Sequence, residues 1–143
     1  MRTLIIGAKG MLGVELAKAF AEHNPALWDL DEIDITDQLQ VNEKISALSP
    51  ELIINAAAYT NVDACETNEE LATNVNGAAV GYLAEAASKL GATLAHYSTD
   101  YVFDGTKQEG YQEDDKPRPL SAYGRSKLLG EEELRKNVEK YYL

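Results

Sequence analysis

Apolar residues along this chain fall into short runs that alternate with stretches of helical spacing. Leu4, Ile5 and Ile6 form the first run, and Val14, Leu16, Ala17, Ala19 and Phe20 follow it with the period of one helix face. The pattern predicts a strand over 2–6 and a helix over 11–22. Ala26-Leu-Trp-Asp-Leu30 reads as a second short strand, and Thr36 or Asp37 can cap a helix running through Leu39, Val41, Ile45 and Leu48. Ser49-Pro50 ends that helix, because the residue before proline is biased away from helical dihedrals. Leu52-Ile-Ile-Asn-Ala-Ala-Ala58 is an apolar run of the kind found in a strand covered on both faces. An alanine-rich helix is expected over 68–90, stopping at Gly91, and Thr93-Leu-Ala-His-Tyr-Ser98 is the next strand. A loop with Gly105, Gly110, Pro117 and Pro119 leads to a helix that Ser121 can cap, and Tyr141-Tyr-Leu143 opens one further strand.

This alternation predicts an α/β fold, a doubly wound parallel sheet of the Rossmann type, with ligand bound at the carboxyl ends of the strands. Residues 1–143 make one domain, and the last predicted strand is only begun. Nothing in these residues offers a second domain to close over a substrate.

The turn after the first strand sharpens the picture. Gly7-Ala-Lys-Gly10-Met-Leu-Gly13 sits between strand and helix, spaced G-x-x-G-x-x-G rather than G-x-G-x-x-G. Gly7 permits the tight turn, Gly10 lets the backbone approach a pyrophosphate, and Gly13 lets helix and strand pack closely. An ordinary glycine-rich turn is the competing reading.

Composition narrows the class. The chain carries 13 basic and 24 acidic residues, a formal charge of −11, which argues against nucleic acid and anionic membrane surfaces as partners. No basic stretch followed by an apolar run precedes the first strand, so a cytoplasmic protein is expected. Cys65 is the only cysteine, which excludes an internal disulfide and a thiolate metal cluster; it reads as a small, half-buried residue. The acidic segments Glu109 to Asp115 and Glu131-Glu132-Glu133 read as solvated surface. His96 reads as a packed strand residue and His23 as surface.

Chemistry is concentrated near the end of the chain. Tyr123 and Lys127 in Ser121-Ala-Tyr-Gly-Arg-Ser-Lys127 lie one helical turn apart on one face. An ammonium beside a phenol favours the phenolate, so Lys127 is expected to lower the Tyr123 pKa from about 10 toward neutrality. A tyrosine so tuned can exchange a proton with an alkoxide or alcohol. Upstream, Thr99 and Asp100 follow a strand, where the Thr99 hydroxyl can align a substrate carbonyl. Asp100 can accept a hydrogen bond from a sugar hydroxyl or simply cap a turn.

Together, Gly7-Ala-Lys-Gly-Met-Leu-Gly13, Ile54-Asn-Ala-Ala-Ala-Tyr-Thr60 with Val62-Asp63, His96-Tyr-Ser-Thr-Asp-Tyr-Val-Phe103 and Tyr123-Gly-Arg-Ser-Lys127 resemble the dTDP-4-dehydrorhamnose reductase family of extended short-chain dehydrogenases. The resemblance implies reduction of the 4-keto group of dTDP-4-dehydro-L-rhamnose to dTDP-L-rhamnose, for cell-surface polysaccharide. It implies that residues 1–143 are the NAD(P)-binding half, truncated before a substrate domain that holds most of the sugar-nucleotide site. It implies Tyr123 as proton donor, Lys127 as its tuner and a binder of the nicotinamide ribose, and Thr99 as the group orienting the ketone. It also implies Gly10, Met11 and Leu12 at the pyrophosphate and Asp34 with Ile35 at the adenine. Ala56, Ala57 and Ala58 would leave room for the cofactor, Tyr97 would lie near the nicotinamide, and Thr99 and Asp100 would touch the sugar nucleotide.

Charge bears on the choice of cofactor. Asp31 and Asp34 follow the second strand where an acid binds the ribose hydroxyls of NAD. No Lys or Arg lies between Lys18 and Lys44, leaving Lys9 and Arg2 as candidates to meet a 2′-phosphate. The residues lean toward NADH, while the resemblance allows NADPH. Another sugar-nucleotide reductase or epimerase stays open, as does a non-catalytic NAD(P)-binding regulatory subunit like that of methionine adenosyltransferase. Exposed strand edge and uncovered apolar surface lead us to expect self-association or a homodimer.

Overall fold

The computed structural model describes residues 1–143. Five parallel strands, β1 (Thr3–Ile6), β2 (Ala26–Trp28), β3 (Leu52–Asn55), β4 (Thr93–His96) and β5 (Tyr141–Tyr142), form one sheet in the order β2-β1-β3-β4-β5. The chain winds outward from β1 to β2, then returns to place β3 on the other side of β1. Such a reversal splays the connections apart and leaves a crevice at the carboxyl ends of β1 and β3. Helices α1 (Met11–Ala19), α2 (Gln38–Leu48), α3 (Val62–Thr67), α4 (Glu69–Thr73), α5 (Ala79–Leu90) and α6 (Ala122–Asn137) complete the fold.

Strands β1 and β3 are apolar at successive positions because both their faces are covered: Leu4, Ile5, Ile6, Ile53 and Ile54 are all buried. The main core joins Leu4, Ile6 and Ile53 to Val41 and Ile45 of α2, Val80, Leu83 and Ala87 of α5, and Leu134 of α6. Burying apolar area at roughly 25 cal/mol per Å² drives this assembly.

The predicted helix limits needed revision. Asp37, not Thr36, caps α2, its side chain accepting from the Leu39 and Gln40 amides. α1 gives way after Ala19 to a single 3-10 turn, Ala21–His23. The helix expected over 68–90 is interrupted, since a π-helical stretch at Asn74–Ala78 separates α4 from α5. There the Asn76 amide bonds outward, giving Nδ2 to the Tyr59 carbonyl at 2.9 Å and to Ser126 Oγ at 3.0 Å, while Oδ1 accepts from the Tyr59 amide at 2.8 Å. The widened turn lets that side chain stitch the β3–α3 loop to α6. α6 comes close because a Cβ on Gly130 would stand only 2.2 Å from the Asn76 carbonyl oxygen.

Two burial expectations fail. Cys65 is fully buried rather than half-buried. Glu131, read as solvated, is 6% exposed: Ser98 Oγ donates to its Oε1 at 2.5 Å and Arg135 to its Oε2 at 3.0 Å. An isolated buried carboxylate is costly, and these partners are what permit it.

Candidate active site

The glycine turn is shaped by contacts on both sides. Gly7 has φ of +79°, and a Cβ there would meet the Ala57 amide nitrogen at 2.6 Å. At Gly13 a Cβ would fall 2.0 Å from the Gly7 carbonyl oxygen. Gly10 differs, since its Cβ would meet only that same oxygen, at 3.3 Å, and otherwise open space. α1 therefore begins beside an open approach. No side chain caps it and no acid sits in its first turn, so the first amides, at Met11, Leu12 and Gly13, lack partners inside the helix.

Beside this turn lies an apolar cleft of about 380 Å³. Gly7, Gly10, Asp34, Ile35 and Ala56 to Ala58, the positions read from the sequence as candidates for a cofactor, line it. Leu30, Tyr59, Leu71 and Val75 also line it, and these were not anticipated because they come from the loops after β2 and β3, from α4 and from the π-helical stretch. Small side chains at 56–58, uncapped amides and an opening in front of Gly10 suit an anionic dinucleotide, so these residues could hold one.

Asp31 is not part of the cleft lining. The Lys9 ammonium donates to its carboxylate, and that contact raises the Lys9 pKa and lowers that of Asp31. The Lys9 amide in turn donates to Asp29 Oδ2 at 2.8 Å. The glycine turn is thus tied to the segment after β2 by the backbone amide and the side-chain ammonium of Lys9, and Asp29 is a partner that sequence reasoning missed.

A second group of residues gathers at the carboxyl end of β4 and the start of α6. Ser121 caps α6 as expected, accepting from the Gly124 amide at 3.0 Å, and Glu66 of α3 accepts from the Ala122 amide at 2.7 Å. This fixes Tyr123, whose ring packs edge-on against Tyr101 with centroids 5.6 Å apart. Thr99 caps the short 3-10 turn Asp100–Val102, accepting from the Tyr101 amide at 3.2 Å. The capping role considered for Asp100 therefore belongs to Thr99.

Lys127 does not act on Tyr123 as the sequence suggested. Its amine donates to the Tyr97 carbonyl at 2.5 Å and lies 3.2 Å from His96 Nε2. Burial raises the Tyr123 pKa, with the Thr99 hydroxyl pulling partly the other way. Tyr123 is consequently a protonated phenol at neutral pH. Lys127, 2% exposed, is drawn down to about 8 by desolvation, against the pull of Glu131.

His96 is packed, as read, yet it belongs to this group. Its Nδ1 lies 3.1 Å from Asn55 Nδ2, and burial with the nearby Lys127 charge lowers its pKa to about 3. The available signal was one polar residue ending each of two apolar strands, Asn55 and His96, which the parallel register pairs.

The family described as the RmlD substrate binding domain matches residues 1–143. The chain belongs to that family. A probable low-salt glycan biosynthesis reductase, Agl14, of Haloferax volcanii is 42% identical over 147 residues, covering 94% of this chain and 49% of the relative. A dTDP-4-dehydrorhamnose reductase of Burkholderia thailandensis is 46% identical over 132 residues, covering 92% of this chain and 44% of its own. The crystal structure of dTDP-4-dehydrorhamnose reductase from Bacillus anthracis in complex with NADP superposes with a TM-score of 0.95 at 37% identity, over 98% of this chain and 50% of that one. The chain spans about half the length of the curated relatives it matches. No helix is long and apolar enough to cross a membrane.

Proposed function

We propose that this chain is the NAD(P)-binding part of a reductase that converts the 4-keto group of dTDP-4-dehydro-L-rhamnose to the alcohol of dTDP-L-rhamnose. The observation that carries the reading is Tyr123: a phenol kept protonated by its surroundings, beside the Thr99 hydroxyl and one helical turn from a buried lysine. A non-catalytic nucleotide sensor has no use for that set. The relatives named as dTDP-4-dehydrorhamnose reductases support the choice of substrate.

In this reading the amides of Met11, Leu12 and Gly13 and the open face of Gly10 take the pyrophosphate, and Ala56 to Ala58 flank the cofactor. Asp34 and Ile35 contact the adenosine end, and Tyr97 lies on the nicotinamide side. A reduced nicotinamide held there would supply the hydride for C4 of the sugar. Thr99 donates a hydrogen bond to the ketone oxygen, and Tyr123 gives that oxygen its proton as the C–O double bond becomes single. Asp100 binds a sugar hydroxyl, and Lys127 orients the nicotinamide ribose. The bound nicotinamide is NADH at least as readily as NADPH, and the domain associates with a second copy through its exposed sheet edge.

A protein carrying this chain and the remainder found in its relatives tests the assignment. Tyr123→Phe should lower turnover about 10²–10⁴-fold while leaving cofactor affinity intact. Lys127→Ala should be at least as damaging and should weaken cofactor binding too. Unchanged turnover by Tyr123→Phe would overturn the proton-donor role.

A further inference from the structure

The buried polar chain running from β3 through β4 to α6 has a direction. The Ala57 amide donates to Asn55 Oδ1 at 3.1 Å, which identifies that atom as the oxygen and leaves Nδ2 to face His96. Nδ2 can only donate, so His96 Nδ1, 3.1 Å away, must accept. A neutral imidazole that accepts at Nδ1 carries its proton on Nε2. That N–H points at the Lys127 amine, 3.2 Å away. An ammonium has donors only and would oppose it, whereas a neutral amine has one lone pair and two N–H groups. The lone pair can accept from His96, and one N–H can serve the Tyr97 carbonyl at 2.5 Å. The second N–H stays free for a ligand.

We propose that His96 is a positioning residue for Lys127: locked by Asn55 in its Nε2–H tautomer, it presents a donor to the lysine amine and so favours the neutral form. The opposite arrangement, with Lys127 charged and donating to Nε2, requires the proton on Nδ1. Asn55 would then have to turn its oxygen toward the ring and give up the Ala57 amide. The two states of Lys127 are therefore coupled to a flip of one ring tautomer and one side-chain amide.

Few charged groups oppose this arrangement. From its own helix Lys127 faces Glu131, which favours the ammonium, and Tyr123, one turn earlier. Glu131 is already engaged by Ser98 and Arg135. From β4 it faces His96 and the Tyr97 carbonyl, and from β3 only the uncharged Asn55, through the ring. Burial acts in the same sense as the ring, drawing the amine down to about 8. The consequence for catalysis rests on the proposed function: the protonation state of Lys127 at the cofactor ribose is tied to the tautomer of His96.

The test needs neither cofactor nor substrate, so failure of the reductase reading would leave its result standing. Ring-¹⁵N spectra of the 143-residue chain report the His96 tautomer, and ¹³Cε shifts of labelled lysines report the Lys127 titration. The expected result is a neutral Nε2–H ring at pH 9 that gives way to the Nδ1–H ring as Lys127 becomes charged at lower pH, with Lys127 titrating at least tenfold more acidic than the exposed lysines. His96→Gln, whose amide can turn its oxygen to the ammonium, should move the Lys127 titration up by about tenfold in proton affinity. A positioning role predicts that shift; a merely space-filling histidine would leave it unmoved. Should the variant not fold, the unmodified chain still decides: an Nδ1–H ring at pH 9, a tautomer that does not change as Lys127 titrates, or Lys127 titrating with the exposed lysines overturns the proposal.

Discussion

Gly13 and Gly7 approach so closely that a single methyl on the first would stand 2.0 Å from the carbonyl oxygen of the second. The contact presses the start of α1 onto the turn after β1. Gly13→Ala should therefore destabilise the fold by about 1–3 kcal/mol, the usual cost of overpacking, measured as a lowered urea midpoint. Gly10→Ala should stay within about 1 kcal/mol of the parent. Equal losses at the two positions would show that Gly10 is as structural as Gly13.

Gly10→Val carries the complementary expectation. With open space before it, the valine should be accommodated by the fold yet obstruct a pyrophosphate, weakening NADH and NADPH alike in a fluorescence titration. Undiminished binding would reduce the glycine turn to a structural element.

The Lys9–Asp31 ion pair should set the balance between the two cofactors. Asp31 engages the one cation of the glycine turn, so a 2′-phosphate must compete for it. Asp31→Asn, which releases Lys9, should shift the NADPH:NADH affinity ratio toward NADPH by roughly two- to fivefold, the range an exposed pair can supply. Lys9→Ala should shift it the other way. In the unaltered chain NADH should bind at least as tightly, and a tenfold NADPH preference would refute the charge argument around Asp31.

His96 and Lys127 should make the fold more stable as pH rises. The unfolded histidine protonates below its ordinary 6.5, while the folded ring stays neutral down to about 3. Stability is thus fully present above pH 6.5 and lost as pH falls toward 3, by up to about 1.4 kcal/mol per pH unit. Lys127 acts in the same sense at the alkaline end: its contribution is complete above 10.5 and lost as pH falls through about 8. Urea unfolding between pH 6.5 and 5 should show the histidine slope, and His96→Gln should flatten it. The same slope in both proteins would place its origin elsewhere.

Self-association should be visible by light scattering. β5 pairs only with β4, leaving its outer edge free, and Tyr142, Met11 and Leu30 are 72, 95 and 83% exposed. Unpaired edges and apolar surface favour contact with another chain. A mass that stays monomeric across concentrations would contradict this expectation.

Much of the fold could be read from the chain because its signals are local. The apolar runs Leu4-Ile5-Ile6 and Ile53-Ile54 mark buried strands by composition alone, and Ser121, Asp37 and Gly91 mark helix ends through their own caps and dihedrals. The glycine spacing and the one-turn interval of Tyr123 and Lys127 are likewise properties of neighbouring residues. What the sequence could not decide is whom a polar side chain meets across the sheet. Lys127 was read with the residue on its own helix face, yet its amine lies on Tyr97 and His96, because its buried side chain ends at the carboxyl end of β4, where those are its partners. Glu131 was read from its acidic neighbours, yet packing turned it toward Ser98. Asn76 was counted inside one long helix, yet its bonds to Tyr59 and Ser126 lie where that helix widens into a π turn. Helix caps and apolar periodicity depend on a few adjacent residues, whereas the pairing of buried polar groups depends on desolvation by elements tens of residues away. That pairing, and with it the protonation of Tyr123 and Lys127, belongs to the tertiary structure.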